Sequence, residues 1–192
     1  MDYKKLKYTI EDAAKNAGIT EYEVYYTEYR GMDVSVFASE IKSFNSDESR
    51  GICFRCRVNG KIGYASTEWM EEEELRSLPV RALENAALIE NTDNDDFYGT
   101  GDHYQKAETE IAPLAATGQY IEKALSCQKA CYDADSRVSE GTETSAGGYR
   151  TVICLFNSNG LDLSAAYGFD LVVTAPVVRD GNDVNAAYSF SI

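Results

Sequence analysis

Five cysteines and one histidine are the residues of this 192-residue chain best suited to metal, redox or nucleophilic chemistry, and their spacing decides what they could do. Cys53 and Cys56 stand three apart in Ile52-Cys53-Phe54-Arg55-Cys56-Arg57-Val58, the spacing of a metal-binding or thiol redox pair. The segment alternates like a strand, and a strand sends positions three apart to opposite faces. These two thiols are therefore not expected to chelate together. Cys127 and Cys131 are four apart on an expected helix and share a face, but no second pair and no histidine lies near them in sequence. All five are read as reduced, packing thiols of a cytosolic chain.

His103 would have to serve any triad, and it stands in a polar stretch between Asp102 and Tyr104. A general base needs a positioned partner and a sheltered pocket. Zinc peptidase sites draw on two histidines one helical turn apart plus a third ligand, which one histidine cannot supply. No Gly-x-x-x-x-Gly-Lys-Ser/Thr phosphate loop occurs, and Asp162, Asp170, Asp180 and Asp183 are scattered over strands and turns. The run Glu71–Glu74 reads as the solvated start of a helix, its acids at the positive end of the dipole, not as a converging cation site. No catalytic, cofactor-binding or metal residue is expected in this chain.

The elements that would have to position such groups follow from periodicity. Leu6, Ile10, Ala13, Ala14 and Ala17 have helical spacing, and Gly18 stands where a left-handed cap would stop the helix. Strands are expected at residues 23–29, 32–38, 40–45, 51–58 and 61–66, with Asn59-Gly60 as a hairpin turn. A second helix carries Leu75, Leu78, Ala82, Leu83, Ala86 and Ile89, and Pro79 should kink it or make it restart near Ser77. From Glu90 to Ala112 the periodicity fails and a long connection, lid or linker, is expected. Pro113 opens a third helical stretch in which Ile121, Leu125 and Tyr132 share a stripe with Ala124, Gln128 and Cys131 beside it.

Strands resume at about 137–144, 149–157, 161–173 and 183–190. Gly147-Gly148 is read as a break between strands, and Asn157-Ser158-Asn159-Gly160 as a turn. The last residues are still strand-like at Ile192, as if the chain stopped mid-sheet. The fold class is α+β: a mainly antiparallel sheet packed by two or three helices, followed by the beginning of a second α+β or β-rich unit. The expected domains are 1–90, a connection at 91–112, and 113–192 as the start of a central domain.

Composition bounds the partners. Fourteen Tyr against seven Phe and one Trp suits half-buried strand positions, where a ring packs and a hydroxyl stays wet. A formal charge of −14, from 32 acidic and 18 basic residues, repels phosphate backbones and anionic lipid, so neither nucleic acid nor membrane is an expected partner. Met1-Asp2-Tyr3-Lys4-Lys5-Leu6-Lys7 leads into no apolar signal-peptide run. No stretch approaches the roughly 20 apolar residues that span a bilayer. A cytoplasmic protein is expected.

Four blocks, in order, carry a resemblance. Residues 48–67, which include Gly51-Ile52-Cys53-Phe54-Arg55-Cys56-Arg57-Val58-Asn59-Gly60-Lys61-Ile62-Gly63-Tyr64-Ala65-Ser66-Thr67, resemble the amino-terminal signature S-x-G-x-G-V-R-V-x-V-x-G-R-x-G-F-A-S-T of the TldD/PmbA family, long labelled modulators of DNA gyrase. Glu21-Tyr22-Glu23-Val24-Tyr25-Tyr26 looks like its A-E-V-Y-Y strand, Ala134-Asp135-Ser136-Arg137-Val138 like its A-D-P-R-I, and Asn157-Ser158-Asn159-Gly160 like its N-S-x-G turn. The family's D-P-Y-A-G appears as Asp96-Phe97-Tyr98-Gly99, without the proline.

The resemblance implies the first two-fifths of a subunit in a cytoplasmic metallopeptidase complex that trims unfolded or leader peptides. TldD-type members carry a His-Glu-x-x-x-His zinc motif further along, and PmbA-type (TldE) members lack it. The segment from Asn157 to Ile192 is closer to the PmbA branch. On this reading the chain is inactive alone and helps to enclose an extended peptide and to pair with a TldD/PmbA-type partner subunit as a homo- or heterodimer. Any zinc belongs to a full-length TldD-type member or the partner. The alternative is a noncatalytic peptide-binding or protein-interaction module that uses exposed sheet edges.

Overall fold

The computed structural model describes residues 3–90, 92 and 96–192; residues 91 and 93–95 of the expected connection lie outside the described residues. Helix α1 (Tyr3–Asn16) turns Leu6, Ile10, Ala13 and Ala14 inward. It ends at Gly18, whose φ of 70° lets the Ile19 N–H reach the Ala14 carbonyl and the Gly18 N–H the Lys15 carbonyl, both at 3.0 Å. This is the two-bond left-handed cap that glycine forms without steric cost.

Strands β1 (Tyr22–Phe37), β2 (Glu40–Val58) and β3 (Lys61–Thr67) follow, then helices α2 (Glu72–Leu88) and α3 (Thr117–Ala134). The chain closes with β4 (Glu143–Asn157), β5 (Asp162–Ala175), β6 (Val177–Asp180), β7 (Asp183–Ala186) and β8 (Ser189–Ser191). A six-stranded sheet has the order β3-β2-β1-β4-β5-β8, and β6 and β7 form a separate pair. The expected antiparallel α+β class is what the chain adopts. At the Asn59-Gly60 hairpin both φ values are positive, 53° and 74°, and β2 meets β3 in register from Val58↔Lys61 to Ile52↔Thr67.

Several strands run through the breaks expected of them. β1 passes Gly31 because the Tyr29 ring lies along the strand over it, where a Cβ would sit 2.5 Å from the Tyr29 hydroxyl. β4 passes Gly147-Gly148 because a Cβ at Gly147 would strike the Met32 carbonyl. These glycines mark close backbone approach inside a strand, not its end. The expected strand 137–144 forms only an isolated bridge, Val138↔Val178, before β4. The expected strand 183–190 divides into β7 and β8.

The described residues form two compact units built from non-contiguous segments. Unit one takes those of Met1–Glu28, Ser49–Thr109 and Val152–Ala166; unit two takes Tyr29–Glu48, Glu110–Thr151 and Tyr167–Ile192. In unit one, Leu6, Ile10, Leu75, Leu78 and Ala82 of the two helices meet Val24, Ile52, Phe54, Cys56 and Phe156 of the sheet. Each large side chain so buried contributes about 1.5–3 kcal/mol. Helix α2 runs unbroken through the buried Pro79, so the restart near Ser77 does not occur; the Ser77 hydroxyl donates to the Glu74 carbonyl at 2.7 Å. Gly63 lets α2 press on β3, since a Cβ there would fall inside contact distance of Ala82 and Ala86 backbone atoms.

In unit two, Val34, Val36 and Ala146 pack against Tyr120 and Ala124. Helix α3 starts at Thr117, four residues after Pro113, with the Gln119 side-chain oxygen accepting the Ala116 N–H at 3.0 Å. Its buried stripe is Tyr120, Ala124 and Gln128; Ile121 and Leu125 are only partly covered. The reason is Gln128, fully buried. Its amide donates to the carbonyls of Val36 (3.1 Å) and Thr142 (2.8 Å), and its oxygen accepts the Ser39 N–H at 2.8 Å. That last bond steadies the β1–β2 turn, where Ala38 and Ser39 hold φ of 49° and 65° without a glycine.

Candidate functional site

One polar network of unit one joins residues far apart in sequence. Glu23 points away from the Val24 side of β1, yet it is only 7% exposed. Arg55, on β2, donates to one of its oxygens through Nε (3.0 Å) and a terminal nitrogen (2.5 Å). Asn157, at the end of β4, donates its amide to the other oxygen at 3.3 Å and to the Tyr98 carbonyl at 2.7 Å. The Asn157 carbonyl oxygen in turn accepts the N–H groups of Asn159 and Leu161, folding the turn. Asn159 donates to the Phe97 carbonyl at 2.7 Å. The Phe97 ring lies beneath both Arg55 (4.9 Å) and Arg57 (5.7 Å), and Arg57 stands 3.4 Å from Glu21 and 3.7 Å from Asp96.

The residues of this network come from the Glu21–Tyr26 strand, the Gly51–Thr67 block, the Asp96–Gly99 segment and the Asn157–Gly160 turn. Nothing local in sequence announces their meeting. Chemically the arrangement is closed. Both oxygens of the Glu23 carboxylate are engaged, one by a guanidinium and the other by an amide. What it does is fasten Phe97 and Tyr98 to the strand ends of unit one.

Unit two carries a second network beside a cleft. The Tyr120 hydroxyl donates to Asp170, whose other oxygen accepts from Arg150 at 2.9 Å. Arg150 also reaches the carbonyls of Ala112 (2.7 Å) and Pro113 (3.2 Å). Arg150 first, then Tyr120, hold the Asp170 carboxyl below the usual aspartate range against the opposing effect of burial. A cleft of about 710 Å³ opens next to them between α3 and the β5–β8 edge, lined by side chains including Lys123, Cys127, Val172 and Phe190.

The thiols and the histidine lie apart from both networks. Cys56 is buried in the core of unit one, and burial pushes its thiol up to about 11; Cys53, three residues away, lines a surface cleft with Tyr25 and Ser66. Burial also raises Cys127 and Cys154, and Cys131 sits 3.4 Å from the Thr174 hydroxyl. His103 is exposed, its ring tilted against that of Tyr104 at 4.2 Å. Among the described residues no group of three or more His, Cys, Asp or Glu side chains could hold a metal ion. No helix among them is long and apolar enough to cross a membrane.

Residues 22–89 match the family described as PmbA/TldA metallopeptidase domain 1. No curated protein matches the chain. Among solved structures, a candidate modulator of DNA gyrase from Thermotoga maritima superposes with a TM-score of 0.82 at 17% identity, covering 98% of this chain and 42% of that one. TldE from Thermococcus kodakarensis gives 0.80 at 19%, covering 95% and 42%. A candidate modulator of DNA gyrase from Bacteroides thetaiotaomicron gives 0.73 at 16%, covering 99% and 45%. The α+β fold of this chain is shared with these structures. Residues 22–89 match that family's first domain, and nearly the whole chain shares the fold of part of these solved structures. The chain spans about two-fifths of the length of the structures it matches.

Proposed function

We propose that this chain is the amino-terminal, substrate-enclosing scaffold of a TldD/PmbA-type metallopeptidase-complex subunit acting in the cytoplasm, with the metal site outside it. The observation that supports this reading most directly is the convergence of three family blocks and the Asp96–Gly99 segment on the Glu23–Arg55–Asn157 network, which orders backbone and engages both oxygens of its carboxylate. The module's work is then geometric: it positions strands and the segment after α2 around a peptide held by the full subunit and its TldD/PmbA-type partner. We place it with the TldE-type branch, whose members lack the zinc motif; a His-Glu-x-x-x-His further along the same reading frame would reassign it.

The test is direct. The purified 192-residue chain should carry no stoichiometric zinc by mass spectrometry, should not cleave unstructured peptides, and in its full subunit should co-elute with a TldD-type partner that does. Stoichiometric zinc, or cleavage by the chain alone, overturns the proposal.

A second reading, capture of an extended peptide at a free strand edge, draws on the cleft between α3 and β8. β8 ends the sheet order, and Phe190 beside the cleft is 70% exposed, a geometry suited to strand addition with side chains entering a groove. Chemical shifts of Thr174 and Ser189–Ser191 that stay unmoved on titration with unstructured peptides would exclude it.

A further inference from the structure

One feature of unit two belongs to neither network. By strand alternation, the face of β1, β4 and β5 turned away from Val34, Val36 and Ala146 presents Tyr29, Tyr149 and Phe169. Tyr29 stacks on Tyr149 with centroids 6.0 Å apart and planes 27° apart. Tyr149 meets Phe169 edge-on at 4.5 Å and 65°. The Tyr29 ring lies over Gly31. A cavity of about 200 Å³ opens among the three rings, Asp33, Asp47 and Gly147. It has room for one side-chain head group, well below the few hundred Å³ of a whole small-molecule site.

The chemistry of the walls is one-sided. Aromatic faces carry negative quadrupole potential, two carboxylates add formal negative charge, and no Lys or Arg lines the cavity. Arg30, adjacent on β1, is held by Glu48 at 3.2 Å, and Asp33 accepts a hydrogen bond from Asn45 at 3.4 Å. The chain as a whole is at −14. The complementary group is a cation. A cavity lined by aromatic rings and carboxylates suits a guanidinium better than an ammonium, because the planar fork can stack on a ring while donating in its own plane to a carboxylate.

We infer that this slot takes the guanidinium of an arginine carried by an extended polypeptide. The polypeptide carrier rests on the proposed peptide-enclosing role; the preference for a guanidinium does not. The inference gives the substrate or partner a chemical mark: an arginine that docks on the open sheet face of unit two.

The experiment is an amide chemical-shift titration of the 192-residue chain with three probes: acetyl-Ala-Ala-Arg-Ala-Ala-amide, the same peptide with citrulline for arginine, and acetyl-arginine-methylamide. The arginine peptide should move the amides of Gly31, Gly147 and Gly148. The uncharged citrulline peptide should bind about tenfold more weakly. Tyr149→Ala and Asp33→Asn should each weaken the arginine peptide about fivefold, and Tyr149→Phe, which keeps the ring, should not; far-UV circular dichroism establishes that each variant is folded. Equal binding of the citrulline peptide, shifts confined to other surfaces, or no shift up to about 5 mM, which corresponds to less than about 3 kcal/mol of binding, overturns the inference. If acetyl-arginine-methylamide binds as well as the peptide, guanidinium recognition stands and the polypeptide carrier, with the enclosing role behind it, is overturned.

Discussion

Asn157 and Glu23 are separated by 134 positions in sequence, yet the Asn157 amide donates to the Glu23 carboxylate at 3.3 Å while donating to the Tyr98 carbonyl at 2.7 Å. One side chain therefore joins the start of β1, the end of β4 and the segment after α2. Because Glu23 is buried and charged, its partners matter more than their individual bonds. Arg55→Ala should destabilise the chain by about 2 kcal/mol, the cost of leaving a buried carboxylate under-compensated. Asn157→Ala should cost about 1–2 kcal/mol, with the loss of two donors and the turn's anchor. The double change Glu23→Gln/Arg55→Met should cost less than Arg55→Ala alone, because it removes the charge with its partner. Urea denaturation of the three variants checks the order.

The contact of α2 with β3 gives a second prediction. At Gly63 the atoms that a Cβ would meet include backbone of Ala82 and Ala86, which cannot rotate away as a side chain could. Gly63→Ala should destabilise by about 3 kcal/mol, the upper range for inserting a methyl group into a packed interior. Gly181, with nothing near its Cβ direction but a φ of 60°, should cost only about 1 kcal/mol on the same change, from backbone strain. Thermal unfolding of both variants separates the steric from the conformational penalty.

The turn at Ala38-Ser39 offers a stabilising change. Both residues hold positive φ without glycine or asparagine, each at a cost of about 1 kcal/mol. Ala38→Asn with Ser39→Gly should raise stability by about 1 kcal/mol, since the Ser39 N–H still bonds Gln128. Gln128→Leu should cost about 2–3 kcal/mol, because two carbonyls and one N–H lose their buried partner together. The midpoint of chemical denaturation reads both.

Acid should act on unit two through Asp170. Its carboxyl is held low, chiefly by Arg150 and next by Tyr120, so the folded state binds its proton less readily than the unfolded chain. The resulting stabilisation is fully present above the ordinary aspartate value of about 4 and is lost as pH falls through the lowered folded value. Asp170→Asn should be less stable than the parent at pH 7, and the difference should shrink below about pH 4. Urea midpoints measured from pH 7 to acid provide the comparison.

Local signals were legible in the sequence and long-range ones were not. Gly18 and Asn59-Gly60 specify their own backbone angles, so the α1 cap and the β2–β3 hairpin follow from a few neighbouring residues. Gly31 and Gly147 carry the same letter but a different meaning, set by Tyr29 and Met32 through side-chain and cross-strand contact. The α3 stripe was misplaced for a related reason: Gln128 reads as polar, yet the unmet groups of Val36, Thr142 and Ser39 draw it inside. Glu23 presents the candidate site's version of the same problem. A glutamate on a strand reads as solvent-facing until Phe97, Tyr98 and Asn157, far along the chain, are placed over it.

Tyr22 exchanges two hydrogen bonds with Ser158, giving its carbonyl to the Ser158 N–H at 2.9 Å and its N–H to the Ser158 hydroxyl at 3.1 Å. Phe156 sits in the same core, and Tyr3 donates to Asp162 at 2.8 Å. On the ribosome, then, the first ninety residues emerge with a core that lacks one of its largest side chains and with the start of β1 unclasped. Closing so long a loop costs chain entropy before any contact repays it. Unit one therefore waits for residues 152–166 before it is finished, and in that interval the open edge of β1, which β4 later pairs, is the part of the nascent chain most in need of protection.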